Sequence, residues 1–480
     1  MKTQLFRSIA VALLALFFVQ TSFATCGGGG GGGGGGMSAG GGGGSNAPVY
    51  VVPWKQRKPQ DAPPKGLVLY WFPASKDEYV KSSLRESRTL SVYASQCVAM
   101  EVVTDTETPS AGKLLGESKL PVAVLATPDG APLQKVENKA GKLKVGEVEK
   151  VLETEMKQRE TAIDSQMTEA SRKVKAGDNA GAITLYRAVG EQKCMFPKKA
   201  KDAAKELKKL GVEVASIPPA PILEPRQSAM IERTMRQGLI AENAGRYVAA
   251  DKLYTKAHLM DPADPTPLRY LGENYRHNIG DWARARTTFE TILNMPADPL
   301  SRSVAFHGLG KMTIHDGEFK KGLALMERAI EEFPLALAYR NLAVYWNSEG
   351  DPVKGNEYTQ QALALDPKDP YNLVFAAVFM AANGKKEEAL KIARENVNLM
   401  PASYNLAAIY AQNGQHDKAL SLLRRHFFQY ERYQAVREKE MMEARVDAVF
   451  DSIRSDSAFM ALTSGADGKL PMPMKGMGSR

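Results

Sequence analysis

The chain has 480 residues, 44% of them hydrophobic and 24% charged, with a formal net charge of +9. That length allows about three domains of roughly 150 residues each, and the composition supports real cores and excludes disorder over most of the chain. The 63 basic residues are spread along the sequence and largely offset by 54 acidic ones, which licenses only mild affinity for acidic partners or anionic surfaces.

The N-terminus reads as an export signal (residues 1–24). Lys2 and Arg7 give a positive start, and Ile9 to Val19 form an apolar run too short to span a bilayer. Two cleavage readings stay open. Ser22-Phe23-Ala24 suits ordinary signal peptidase, whereas Phe23-Ala24-Thr25-Cys26 resembles a bacterial lipobox, which would make Cys26 the site of lipid attachment. Either reading places the chain outside the cytoplasm, in the bacterial periplasm or cell envelope, with a lipid tether on the second. Glycines 27–36 and 40–44, followed by a Pro-rich stretch, read as a disordered linker over 25–64.

Order is expected from Gly66. Residues 67–72 form a continuous apolar run typical of a buried central strand. A polar helix is expected over 76–95, a second buried strand over 97–103, and a short helix over 109–117. Strands at 121–126 and 132–137 flank a Thr127-Pro128-Asp129-Gly130 turn, and a helix over 145–157 closes the unit. This order, with Leu120-Pro121 directly before a strand, resembles the thioredoxin fold over residues 65–158. The resemblance implies a cis-proline at Pro121 and a redox motif after the first of these strands. The two cysteine positions of that motif fall on Ser75 and Glu78, so thiol exchange is not expected there.

Cys26, Cys97 and Cys194 are far apart and give neither a disulfide framework nor metal spacing. Cys97 is expected to be buried and inert. Its pairing with Cys194 is not expected, because the two lie in different predicted domains.

A helical hairpin around Gly177, Ala182 and Tyr186 follows (159–212), then a Pro-rich linker over 213–227. Beyond it the period changes. Glycines 245, 280, 317, 350, 384 and 414 recur at separations of 35, 37, 33, 34 and 30 residues, and Pro262, Pro296, Pro334, Pro367 and Pro401 keep the same rhythm. Leu309-Gly310, Gly317, Phe319, Met326, Ala329 and Pro334 form the clearest unit, and Gly280 arrives one residue late, lengthening its turn. This pattern resembles the tetratricopeptide repeat (TPR). The expected architecture is therefore multidomain: an α/β thioredoxin-like domain, then an all-α TPR superhelix of about six hairpins over 228–430. Residues 159–212 read as a degenerate TPR-like hairpin. Helices over 431–463 would cap the last repeat, and 464–480 would be a disordered tail.

No phosphate-binding loop, nucleophile elbow or HExxH motif occurs, and the six histidines show no metal-ligand spacing. No catalytic residue, metal or cofactor is expected. Seven lysines between Lys193 and Lys209 read as a solvated helix face, not a nucleic-acid site, because no aromatics interleave with them. The TPR resemblance implies instead a partner groove lined by the first helix of each hairpin. Its positions fall on Arg269, His277, His307, Lys311, Arg340 and Asn347, turn apolar at Val374 and Val378, and are partly polar again at Tyr404. The cations would suit a protein or peptide with acidic character; solvated surface charge is the alternative. The function implied is an exported protein-binding scaffold that is not an enzyme. The alternative is a thiol-dependent redox or chaperone factor using Cys97 or Cys194.

Overall fold

The computed structural model describes residues 48–57, 66–398, 404–431 and 434–464. The expected export signal, Cys26, the glycine tract, Pro401 and the expected C-terminal tail lie outside them. The chain divides into two compact bodies between Ala338 and Tyr339.

The first body opens with a mixed five-stranded sheet. Its strands are β1 (Lys55–Gln56), β2 (Val68–Phe72), β3 (Ala99–Val102), β4 (Val122–Ala126) and β5 (Pro132–Glu137), in the order β1-β3-β2-β4-β5. β3 runs parallel to both β1 and β2, whereas β4 is antiparallel to β2 and β5. The unbroken apolar run of β2 has a direct cause: both faces of the sheet are covered. Leu69 and Trp71 pack into one core, while Val68, Tyr70 and Phe72 pack into a second core on the other face. The Leu120–Pro121 peptide bond preceding β4 is cis.

Four expectations change here. The single helix expected over 76–95 is split into α1 (Lys76–Lys81), a 3-10 turn at Ser83–Arg85 and α2 (Arg88–Ser95). The serines do this: Ser82 Oγ accepts from Leu84 N and Ser87 Oγ from Leu90 N, capping each new start. The linker expected to run to residue 64 is already packed at Val49, Tyr50, Val52 and Trp54, all buried. Val52 N donates to Arg85 O, Trp54 Nε1 to Leu84 O, and β1 follows at once. Its partners are distant in sequence, and its prolines hide the strand pattern.

The domain boundary at 158 also disappears. After α3 (Pro109–Leu115), helix α4 runs unbroken from Val145 to Lys175, with no glycine or proline between Glu147 and Ala176 to stop it. Its Val148, Leu152 and Met156 share one core with the sheet, and its Ile163 and Ala170 extend that core to α5 (Asn179–Glu191) and α6 (Pro197–Lys209). The hairpin is thus folded back onto the α/β module. That proximity explains the fourth change: Cys97 is exposed, not buried, and forms a disulfide with Cys194.

The repeat helices of this body are α7 (Pro225–Asn243), α8 (Tyr247–Met260), α9 (Pro265–Glu273), α10 (Trp282–Asn294), α11 (Pro299–His315) and α12 (Phe319–Glu332). They pair as three successive helical hairpins, α7–α8, α9–α10 and α11–α12. Gly317, at φ +89, makes the α11–α12 turn in a backbone region that side chains disfavour. Phe289 of α10 wedges between Gly272 and Gly308; a Cβ at either would lie within 2.4 Å of its ring. The late glycine of the second hairpin is accommodated by a π-helical segment, Asn274–Ile279, which absorbs one extra residue. The linker expected to end at 227 stops at Glu224, whose carboxylate caps α7.

One buried network joins module to repeats. Arg88 of α2 is fully buried, with Nη2 2.6 Å from Asp261 Oδ2 and Nε 3.2 Å from Asp264 Oδ2. Nη1 donates to Ile222 O and to Ser228 Oγ, and Tyr50 OH donates to Asp264. Burial opposes the arginine's charge, but Asp264, Tyr50 and Asp261 outweigh it and hold the guanidinium protonated. Burial pushes the Asp261 carboxyl up.

The second body holds the rest of α13 (Ala336–Ser348), then α14 (Pro352–Leu365), α15 (Pro370–Ala382), α16 (Lys386–Asn396), α17 (Tyr404–Gln412) and α18 (His416–Arg425). A π-helical segment (His426–Tyr430), α19 (Gln434–Val446), a 3-10 turn (Ala448–Ile453) and α20 (Ser457–Thr463) complete it. Met441, Ala444, Phe450, Ile453, Phe459 and Leu462 bury themselves against α17 and α18, covering the end of the array.

Removing Arg88 strands two neighbouring buried carboxylates. Arg88→Met is expected to lower unfolding stability by about 3–5 kcal/mol, and Asp261→Asn with Asp264→Asn added to it to recover much of the loss. Urea denaturation of the three forms checks this.

Candidate functional site

The inner helices of the first body start alike. Asp264 and Asp298 cap α9 and α11, each directly before a proline at the first helical position. These caps fix the rotation of both helices and so decide which side chains line their shared face. On α9 and its π-helical continuation, Arg269, Glu273 and His277 follow one another four residues apart; on α11, His307 and Lys311 do the same.

Arg269, Glu273, His307 and Lys311 are only 4%, 8%, 1% and 8% exposed, and His277 is half-buried. Arg269 lies over the Tyr270 ring at 5.8 Å. Arg276 grips Glu273 with two hydrogen bonds, from Nε at 3.3 Å and Nη2 at 2.6 Å. Burial pushes the Glu273 carboxyl up, but Arg276, with His307 and His277, more than reverses this and holds it below its usual value. The structure thus brings two of the expected positions, His277 and His307, to one carboxylate, with Arg269 and Lys311 one turn away along α9 and α11. Sequence reading missed Glu273 and Arg276. The signal for Glu273 was its spacing, four residues after Arg269 and four before His277.

Arg340 and Asn347 belong to the second body. Arg340 donates to Asn372 Oδ1 at 2.7 Å and lies over the Tyr371 and Phe375 rings at 5.5 and 5.6 Å, which fastens α13 to α15. Asn347 is exposed. Val374, Val378 and Tyr404 are buried, and Tyr404 OH donates to Asp447. A cation also sits on aromatic rings here: Lys354 Nζ lies 3.4 Å from the Trp346 centroid and 5.9 Å from that of Tyr358.

In the α/β module, Ser75 Oγ accepts from Glu78 N at 3.1 Å, and Glu78 reaches back to the backbone at Ala74. These two residues tie down the first turn of α1 and carry no thiol. Among the described residues, no cluster of His, Cys, Asp and Glu has the makings of a metal site, and no helix is long and apolar enough to cross a membrane.

Beside the ladder, Glu242 of α7 is buried and accepts from Tyr254 OH at 2.6 Å and Asn278 Nδ2 at 3.0 Å. Burial raises its pKa to about 7. The folded form therefore binds this proton more tightly than the unfolded chain does. Its contribution to stability is complete below the ordinary glutamate range and is lost as pH rises through about 7. The native chain should lose melting temperature between pH 5 and 8, and Glu242→Gln should flatten that decline. An unchanged decline by calorimetry would refute the assignment.

No family model matches the chain. A curated relative, the protein CTR9 homolog of Arabidopsis thaliana, is 24% identical over 241 residues, which is 39% of this chain and 22% of that protein. The chain thus matches only about a fifth of that relative's length. Among solved structures, a thermophilic TPR protein of Thermus thermophilus aligns with 40% of this chain and 98% of its own, at 21% identity and a TM-score of 0.31. The Cut9–Hcn1 hetero-tetramer of the APC/C aligns with 60% of this chain and 63% of its own, at 14% identity and a TM-score of 0.32.

Proposed function

We propose that this chain is an exported scaffold whose TPR face holds a protein or peptide partner. The observation that carries it is the charged ladder on α9 and α11: Arg276, His277 and His307 act on the Glu273 carboxylate, with Arg269 and Lys311 one turn along their helices and Glu242 beside them. Basic side chains outnumber carboxylates there, which favours an acidic partner segment, and half-buried His277 is where such a segment first meets the cluster, since Arg269, His307 and Lys311 are themselves buried. The apolar leader and Cys26 support delivery to the cell envelope, with a lipid tether if the lipobox is used.

The α/β module reads as a thioredoxin-like part without redox work. Supporting this are its strand order and the Ser75–Glu78 helix cap where the family's cysteines would stand.

Fluorescence anisotropy with acidic, neutral and basic peptides of equal length tests the scaffold. The acidic peptide should bind best, and Lys311→Met and Arg269→Met should each weaken it about five- to tenfold. Lys311→Arg should retain most of the affinity. Equal binding of acidic and basic peptides would sink the site.

One observation keeps the thiol-dependent reading in view: the disulfide leaves Cys97 exposed. Insulin reduction decides between them. The scaffold reading expects no acceleration over dithiothreitol alone, and turnover that vanishes with Cys97→Ala would replace it.

A further inference from the structure

Helix α6 has two sharply different faces. Ala200, Ala203, Ala204 and Leu207 are buried, the second and fourth in the core shared with the sheet. On the far side, Lys198, Lys201, Lys205, Lys208 and Lys209 are all exposed. At about 100° per residue these five fall within an arc of roughly 100°, forming a stripe about 16 Å long. Lys205 and Lys209 are partly neutralised by Asp202 and Glu206 one turn away, at 3.1 and 2.7 Å. Among the described residues, no carboxylate pairs with Lys198, Lys201 or Lys208, nor with exposed Lys193 just ahead of the helix. The stripe is also held in place. The Cys97–Cys194 disulfide and the hydrogen bond from Gln96 Nε2 to Met195 O pin the approach to α6 against the module.

We propose that this lysine stripe is a docking surface for a bilayer carrying anionic lipid. Charge complementarity demands a polyanion, and the residue types choose among polyanions. All seven basic residues between 193 and 209 are lysines, compact charges on flexible stems, with no arginine fork for bidentate phosphate recognition. The one aromatic in that stretch, Phe196, is buried, so no platform exists on which bases could stack. A fluid layer of headgroups asks for neither device. Each lysine brought to such a surface multiplies affinity about fivefold. The choice of a bilayer over nucleic acid leans on the exported reading above, and the experiment keeps the two apart.

Full-length chain is cosedimented with vesicles of phosphatidylcholine alone and with vesicles containing phosphatidylglycerol, at low and physiological salt. The preference for phosphatidylglycerol vesicles should be at least about tenfold at low salt and shrink as salt rises. The variant carrying Lys198→Glu, Lys201→Glu and Lys208→Glu should lose that preference with its melting temperature unchanged. Absence of the preference in the native chain, or its survival in the variant, overturns the proposal. So does tighter binding of a single-stranded RNA oligonucleotide at equal salt that the same substitutions abolish. Attachment to pure phosphatidylcholine vesicles reports the lipid tether separately, because the lysines contribute nothing there.

Discussion

A guanidinium with no access to water dictates the arrangement of the first body. Arg88 stands on the α/β module, and the two carboxylates that neutralise it stand on the turn between α8 and α9. Stripping charges of this kind from water costs several kcal/mol per ion, so the arrangement is tolerable only while all partners are present together. Module and repeats therefore cannot part without exposing or orphaning the set. Tyr50 adds a further tie, since its hydroxyl donates to Asp264 while its neighbour Val49 accepts from Tyr270 OH. The short packed segment before β1 is thus a seam between sheet and repeats, not a spacer.

The carboxylates in this network also do ordinary repeat work. Asp264 caps α9 through Thr266 N, and Asp261 accepts from Ala263 N within the same turn. An equivalent Asp-Pro-x-Asp-Pro turn recurs at residues 366–370, where Asp366 accepts from Lys368 N and Asp369 caps α15. The repeat thus supplies a rigid pair of carboxylates by its own folding rules, and the module has placed one arginine to meet them. Ser95 repeats the tactic at the next turn, where its hydroxyl accepts from Asp298 N at the start of α11. The module attaches to features that the repeats must form anyway.

This explains what could be read from the sequence. Hairpins, turns and β2 were legible because the determinants are local: Gly317 for a backbone that only glycine adopts easily, prolines for helix ends, and an unbroken apolar run for a strand covered on both faces. The seam at Val49–Trp54, the Cys97–Cys194 bond and the Arg88 network join residues between 30 and 221 positions apart, and no periodicity encodes such pairs. Helix α4 was cut short in the reading because the α/β pattern ended at residue 157, although nothing in the following residues breaks a helix. The site fell between these cases. Arg269, His277, His307 and Lys311 could be named by register, but Glu273 was not among the expected groove positions, and its role shows only once Arg276 and the two histidines act on it.

The seam also governs how the site can act. Asp264 and Asp298, the caps that orient α9 and α11, are the residues to which the module is fastened. Arg269 lies less than two turns beyond the first of these caps, and His307 about two and a half turns beyond the second. A partner seated on the ladder therefore meets helices whose starts are clamped by buried hydrogen bonds and charge. Rotating either helix to improve the fit would pull on Arg88 or Ser95. The ladder is consequently preorganised, and a partner bound at the proposed site would be selected by matching a fixed pattern of charge, since these helices have little freedom to remodel themselves around it.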